Sequence, residues 1–196
     1  MSPRTEIQFE EIRKEKKKLI MDTALELFAE QGFHSTTISQ IAKKADISKG
    51  LLYNYFESKE ALLQEILNES IDIIWRYFDP NKDGVLTKEE FVYFIHQSFH
   101  VVKTNQDHWR LYSALMFQPN VFKLLEHNFD DLGQDIFKLL YNFFQTCGCD
   151  DPEGEILVFT SMLKGAVVQY LASPKAFPID LFEEKIIAHY KQKLKL

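Results

Sequence analysis

Oxygen-bearing side chains recur at alternate positions in one short segment of this 196-residue chain. Asp79, Asn81 and Asp83 stand two apart, and Gly84 follows. Val85 offers a backbone carbonyl, Thr87 a hydroxyl, and Glu90 a closing carboxylate. A hard cation such as Ca²⁺ takes about six to eight oxygen ligands, and donors at alternate positions surround one centre when the chain curls. A glycine within the curl permits the sharp turn. The chemistry this implies is reversible binding of Ca²⁺, or of Mg²⁺, by Asp79, Asn81, Asp83, Val85, Thr87 and Glu90. A plain helix-connecting turn would use the same residue types, since Asp, Asn and Gly all favour turns.

Other chemistry is thinly represented. His96 and His100 stand four apart, close enough on a helix to share a metal, but no third ligand accompanies them. Cys147 and Cys149 are the only cysteines, too few for a disulfide framework or a zinc site. They read as reduced thiols, which points to the cytoplasm. The start, Met1-Ser2-Pro3-Arg4, runs into the charged stretch Glu10–Lys18 with no apolar signal region, so export is not expected. No run of apolar residues is long enough to predict a membrane span. No Ser-His-Asp order, phosphate loop or catalytic carboxylate pair stands out, so an enzyme is not expected.

A second constellation lies nearer the start, and helices must position it. Ile20, Ala24, Leu27 and Phe28 share one helix face, and Gly32 stops that helix. Thr37 and Gln40 form a capping-box pair ahead of the apolar stripe Ile38, Ile41, Ala42 and Ala45. Asp46-Ile47 makes a tight turn, Ser48 caps a short helix through Leu51, Leu52 and Tyr53, and Ser58 caps the next. Two short helices joined by a turn of about three or four residues make a helix-turn-helix, whose second helix enters the DNA major groove. A small helical bundle with no DNA role fits the same pattern.

Charge neither supports nor excludes nucleic acid. The net charge is −6, yet residues 1–61 carry ten Lys and Arg against ten Asp and Glu, so the acidity lies in the remainder. Arg13, Lys14, Lys16, Lys17, Lys18, Lys43, Lys44, Lys49 and Lys59 supply either a local basic surface or ordinary solvated helix faces.

Two resemblances sharpen the picture. The stretch from Gly32 through Thr36-Thr37-Ile38, Ile41-Ala42, Ser48-Lys49-Gly50, Leu52-Tyr53-Asn54-Tyr55-Phe56 and Ser58-Lys59-Glu60-Ala61-Leu62 resembles the DNA-binding domain of the TetR family of regulators, with Asp46 where that family usually has Gly. The resemblance implies that Thr36 and Thr37 meet phosphate and that Ser48, Lys49 and Gly50 open the recognition helix. It also implies that Lys49 and Asn54 reach base edges, and that Tyr53, Tyr55 and Lys59 contact phosphate. Lys can donate to guanine and Asn can pair with adenine. Residues 79–90 resemble an EF-hand calcium-binding loop. Trp75, Tyr77 and Phe78 stand where its entering helix would be, Leu86 at its apolar position, and Phe91, Phe94 and Ile95 at the start of the exiting helix.

Beyond the loop, helices are expected over 91–102, 107–117, 120–127, 129–146, 156–171 and 180–194, with no strand. The fold class expected is all-α: an N-terminal three-helix helix-turn-helix DNA-binding domain over 1–61, and a C-terminal helical ligand-binding and dimerisation domain over 62–196. Trp109, Tyr112, Met116, Phe137 and Tyr141, with Phe117, Phe122 and Phe144, line an apolar effector pocket or are simply core. The TetR resemblance implies a homodimer through 156–171 and 180–194, a palindromic DNA operator and an unknown small-molecule effector. The function expected is a ligand-released repressor, modulated by a divalent cation through 79–90. The competing class is a helical calcium-binding interaction protein.

Overall fold

The computed structural model describes residues 6–118, 121 and 130–195. The helix expected at 120–127 and the side chain of Phe122 lie outside the described residues, as does the side chain of Trp75. Among the described residues every regular element is a helix. These are α1 (Glu6–Gln31), α2 (Ile38–Lys44), α3 (Lys49–Tyr53), α4 (Lys59–Trp75), α5 (Lys88–Thr104), α6 (Gln106–Met116), α7 (Asp130–Thr146), α8 (Pro152–Ala172) and α9 (Ile179–Leu194).

The chain forms two compact units. The first takes the residues up to Ser70 together with the segment that begins at Leu111; the second takes Ile71–Arg110 and the residues from 130 onward. In the first unit, Ile20, Ala24 and Phe28 of α1 are fully buried with Ile41 of α2, Leu52 of α3, and Leu62 and Leu63 of α4. Gly32 ends α1 at φ +89°, a left-handed conformation that glycine adopts without a Cβ clash. The next three helices start from the side-chain caps expected of them. Thr37 and Gln40 form a complete capping box, Ser48 Oγ accepts from Leu51 N–H, and Ser58 Oγ accepts from Ala61 N–H. The first turns of α1, around Ile7, Phe9 and Ile12, are exposed.

The second unit is built on Phe91. Its ring meets Phe143 at 4.6 Å, Phe159 at 4.9 Å, Tyr190 at 5.4 Å and Phe144 at 5.8 Å, so one side chain of α5 touches α7, α8 and α9 together. The ring is fully buried, and removing a side chain in such a place costs about 3–5 kcal/mol. On α8 the carboxylate of Glu155 is buried and pairs with Lys193 of α9.

Helix α8 has the length and composition of a membrane-crossing helix, with mean hydropathy 1.3 in its most apolar window. The sequence was expected to hold no eighteen-residue run of apolar residues, and Glu155 and Lys164 do interrupt this one; α8 matches by average hydropathy rather than by an unbroken run. One side of α8, at Ile156, Phe159, Ala166, Tyr170 and Leu171, is buried within the second unit. Leu157, Val158 and Val168 remain exposed.

Candidate nucleic-acid interface

Helix α3 is five residues long and held by its buried Leu52, with Phe56 buried just beyond it. A helix so short has little stability of its own, so its place is set by what it buries. With Leu52 inward, Lys49, Gly50, Tyr53 and Asn54 face outward and are exposed, while Tyr55 is half-buried. Lys49 Nζ lies 5.9 Å from the centre of the Tyr53 ring, so the cation and the aromatic share one face. Nothing lies within 4 Å of a Cβ built on Gly50, which leaves its backbone open to close approach. Asn54 caps the end of α3 through its backbone, leaving its carboxamide on the surface. Ahead of α3, Asp46 sits at φ +51°. The turn demands a left-handed residue, and Asp is one of the few non-glycine residues that accepts it.

Four expected contacts resolve differently. Thr37 and Ser48 are exposed cap residues at the starts of α2 and α3. Thr36, expected at phosphate, is fully buried. Its hydroxyl faces the carbonyls of Gly32 at 2.9 Å and Leu27 at 3.1 Å, so it closes the α1–α2 turn from inside. Lys59, also expected at phosphate, donates to the carbonyls of Phe33 at 2.7 Å, Thr36 at 2.9 Å and His34 at 3.3 Å. An ammonium has three donors, and all three are engaged.

The basic side chains divide in the same way. Lys44 pairs with Glu26 at 2.7 Å, Lys17 with Glu65, and Lys18 with Asp22. Among the described residues Arg13, Lys14, Lys16, Lys43 and Lys49 have no carboxylate partner and remain available to an anionic ligand. Sequence reasoning missed Gln118, whose side chain binds peptide groups at the end of α1 from 85 and 90 residues away. No local pattern announces such a residue.

The loop over 79–90 is internally bonded. Asp79 Oδ2 accepts from Gly84 N–H at 3.0 Å, Asn81 Oδ1 from Asp83 N–H at 3.0 Å, and Asp83 Oδ1 from Val85 N–H at 2.8 Å. Lys82 and Gly84 adopt φ of +59° and +76°. Glu90 is turned back on Thr87, accepting from its N–H at 2.9 Å and its hydroxyl at 2.8 Å in a capping box that starts α5. Among the described residues no three His, Cys, Asp or Glu side chains gather as a metal group. The EF-hand resemblance thus stops at the loop's turns: the closing carboxylate serves α5 instead.

The expected pocket residues are divided. Trp109 is buried in the second unit, whereas Tyr112 and Met116, further along α6, are half-buried in the first. Burial holds the Tyr112 phenol up at about 12. Phe137 and Tyr141 stack at 6.1 Å along α7, with Phe137 exposed. Phe144 is core and Phe117 is exposed. His96 and His100 are both exposed; His96 lines a cleft of about 480 Å³ and pairs with Glu183 at 2.5 Å, and among the described residues no group of three potential ligands gathers around them. Lys103 in the same cleft binds Asp180 at 2.8 Å and Glu183 at 3.2 Å. Burial lowers its pKa, and these two carboxylates more than offset that, leaving it above its ordinary value. Both cysteines are free thiols.

Comparison with known proteins bears on the first unit most directly. Residues 20–66 match the family model of the bacterial regulatory proteins, tetR family. An HTH-type transcriptional regulator of Bacillus subtilis (strain 168), YuxN, is 58% identical over 59 residues, which is 30% of this chain and 20% of that protein. The chain therefore spans a fifth of the length of that relative. Among solved structures, NalD of Pseudomonas aeruginosa, the secondary repressor of the MexAB-OprM multidrug efflux pump, aligns with a TM-score of 0.66 and 21% identity, over 93% of this chain and 94% of that one. The transcriptional regulator FadR of Bacillus subtilis, in complex with stearoyl-CoA, aligns with a TM-score of 0.66 and 20% identity, over 87% and 95%. Residues 20–66 are thus similar to the helix-turn-helix segment of the bacterial regulatory proteins, tetR family, and the fold of the chain is like that of these solved structures.

Proposed function

We propose that this chain is a transcriptional regulator that binds a palindromic DNA operator as a homodimer in the cytoplasm and is released by a small-molecule effector. One observation carries the DNA-binding part. Leu52 and Phe56 anchor α3 so that Lys49, Gly50, Tyr53 and Asn54 stand together on its exposed side. These are side chains that can read base edges or meet phosphate, on a helix of the family segment. Enrichment of bound sequences from random DNA tests this. A single inverted-repeat sequence is expected, with affinity falling steeply as salt rises. Recovery of no preferred sequence would refute it.

The dimer draws support from α8, which leaves Leu157, Val158 and Val168 exposed although one of its sides is already buried. A twofold partner would cover them. The effector draws support only from likeness: the structure of FadR holds stearoyl-CoA, and the aromatic side chains of α6 and α7 suit an apolar ligand.

Modulation by a divalent cation belongs to the same proposal. Asp79 Oδ1 is buried without a hydrogen-bond donor, and the loop's turns already place Asp79, Asn81 and Asp83 on one short arc. Binding would require Glu90 to leave Thr87 and turn toward Asp79. Calorimetric titration with Ca²⁺ is expected to give heat that Asp79→Ala abolishes. Equal traces for the two proteins would remove the cation from the proposal.

A further inference from the structure

Gln118 stands just past the last turn of α6 and belongs to the same compact unit as the DNA-binding head. Its Nε2 donates to the Phe28 carbonyl at 2.8 Å, and its Oε1 accepts from Phe33 N–H at 2.9 Å. These two peptide groups flank Gly32, where α1 breaks. The Phe28 carbonyl accepts from Gly32 N–H at 3.1 Å as the last helical bond of α1, and Gln118 Nε2 adds a second donor to it, whereas Phe33 N–H lies beyond the helix and finds its acceptor in Gln118 Oε1. A carboxamide carries the donor and the acceptor of a peptide group on one rigid plane. Gln118 therefore spans the break as a second piece of backbone would.

Beyond this turn lies the DNA-facing half of the head. Thr36 N–H donates to the Gly32 carbonyl at 3.1 Å, Thr37 caps α2, and α2 packs on both α1 and α3. Lys59 grips the Phe33 carbonyl on the same residue whose N–H Gln118 holds. We infer that Gln118 is a positioning residue for DNA binding: its carboxamide fixes the α1–α2 turn, and through it the placement of α2 and α3 against the operator. Operator affinity then depends on a side chain that lies well outside the head's own stretch of sequence. The inference rests on the DNA-binding function proposed above.

The chemistry allows a selective test. Gln118→Met keeps length and volume but removes both hydrogen bonds. Gln118→Glu keeps the acceptor for Phe33 N–H, but its ionised form brings a carboxylate against the Phe28 carbonyl with no proton between them. Protonation restores the donor to the Phe28 carbonyl. The full-length wild type and both variants are compared by amide exchange at Phe33. They are also compared by affinity for the sequence the wild type selects, each variant expressed as a ratio to wild type between about pH 5 and pH 8.

Gln118→Met is expected to speed Phe33 exchange and to weaken operator binding by about tenfold, the worth of one or two hydrogen bonds. Gln118→Glu is expected to bind weakly at neutral pH and to regain wild-type affinity as the pH falls, which a side chain that merely fills space would not do. Should Gln118→Met misfold, Gln118→Glu decides alone, since one protein is read in two protonation states. Affinity within about twofold of wild type for both variants at every pH overturns the inference, as does unchanged exchange at Phe33. A wild type that selects no DNA sinks the DNA-binding function and this inference with it, and shows itself before any variant is made.

Discussion

Lys59 Nζ lies 4.5 Å from the centre of the Phe33 ring and donates to the Phe33 carbonyl at 2.7 Å. The same ammonium reaches the carbonyls of His34 and Thr36, so one cation from the start of α4 gathers the turn between α1 and α2. Lys59→Met, which keeps the stem and loses the charge, is expected to destabilise the fold by about 1.5–3 kcal/mol in denaturant unfolding, the range for hydrogen bonds to a charged group. Lys59→Arg should not restore it fully, because a planar guanidinium cannot present three donors to three converging carbonyls as an ammonium does. The salt dependence of operator binding separates this role from phosphate contact. The slope should stay as in wild type, whereas a lost phosphate contact would lower it by about 1.

Lys49 is expected to behave in the opposite way. It is exposed, has no carboxylate partner among the described residues, and shares a face with Tyr53. Lys49→Ala should leave thermal unfolding unchanged and lower affinity for the selected operator by about 1–3 kcal/mol if it reads a base, with relaxed preference at one position of each half-site. Gel shifts on the operator and on single-base variants measure both effects. Loss of affinity that is uniform across those variants would move Lys49 from the bases to the phosphates.

The caps and breaks of the head were legible in the sequence because each is a local device. Gly32, the Thr37–Gln40 pair, Ser48 and Ser58 act within about four residues, and each falls where the spacing placed it. What was not legible depends on which way a side chain faces. Thr36 and Thr37 are neighbours of one type, yet Thr36 turns inward to two carbonyls and Thr37 outward as a cap. Lys59 and Gln118 act on residues 23 to 90 positions away, beyond the reach of any spacing rule. The loop before α5 was ambiguous for another reason. Thr87-Lys88-Glu89-Glu90 fits the closing half of a cation loop and also the Thr-x-x-Glu form of a capping box, and the structure uses the second.

Asp46 gives a test of backbone strain. At φ +51° it holds the turn between α2 and α3, with its N–H directed to the Lys43 carbonyl. Asp46→Gly is expected to be nearly neutral, since easier backbone geometry is offset by greater freedom in the unfolded chain. Asp46→Val should cost about 1–3 kcal/mol, because a β-branched residue is strained in this region. Operator affinity of the folded Val variant should fall as well, since the turn aims α3. Equal stability of the Val and Gly variants would show that the turn relaxes without strain.

The surface of α8 supplies the test of assembly. Leu157 is 68% exposed and Val158 49%, on a helix whose other side is already buried. If a twofold partner covers them, each leucine contributes about 1.5–3 kcal/mol of burial, and the symmetry counts it twice. Leu157→Glu would add the burial of a carboxylate in each protomer. The dimer dissociation constant should therefore rise by at least about a hundredfold, since each 1.4 kcal/mol is a factor of ten. Light scattering on a sizing column is expected to show the wild type at twice the chain mass and Leu157→Glu at the monomer mass. Ile7→Lys, which changes an exposed apolar residue at the start of α1, should leave the dimer intact. Retention of the dimer by Leu157→Glu would place the interface on another face. Monomeric Leu157→Glu should bind an operator half-site with ordinary specificity but lose the added affinity of the full inverted repeat, because the head's fold does not use Leu157 whereas the pairing of two heads does.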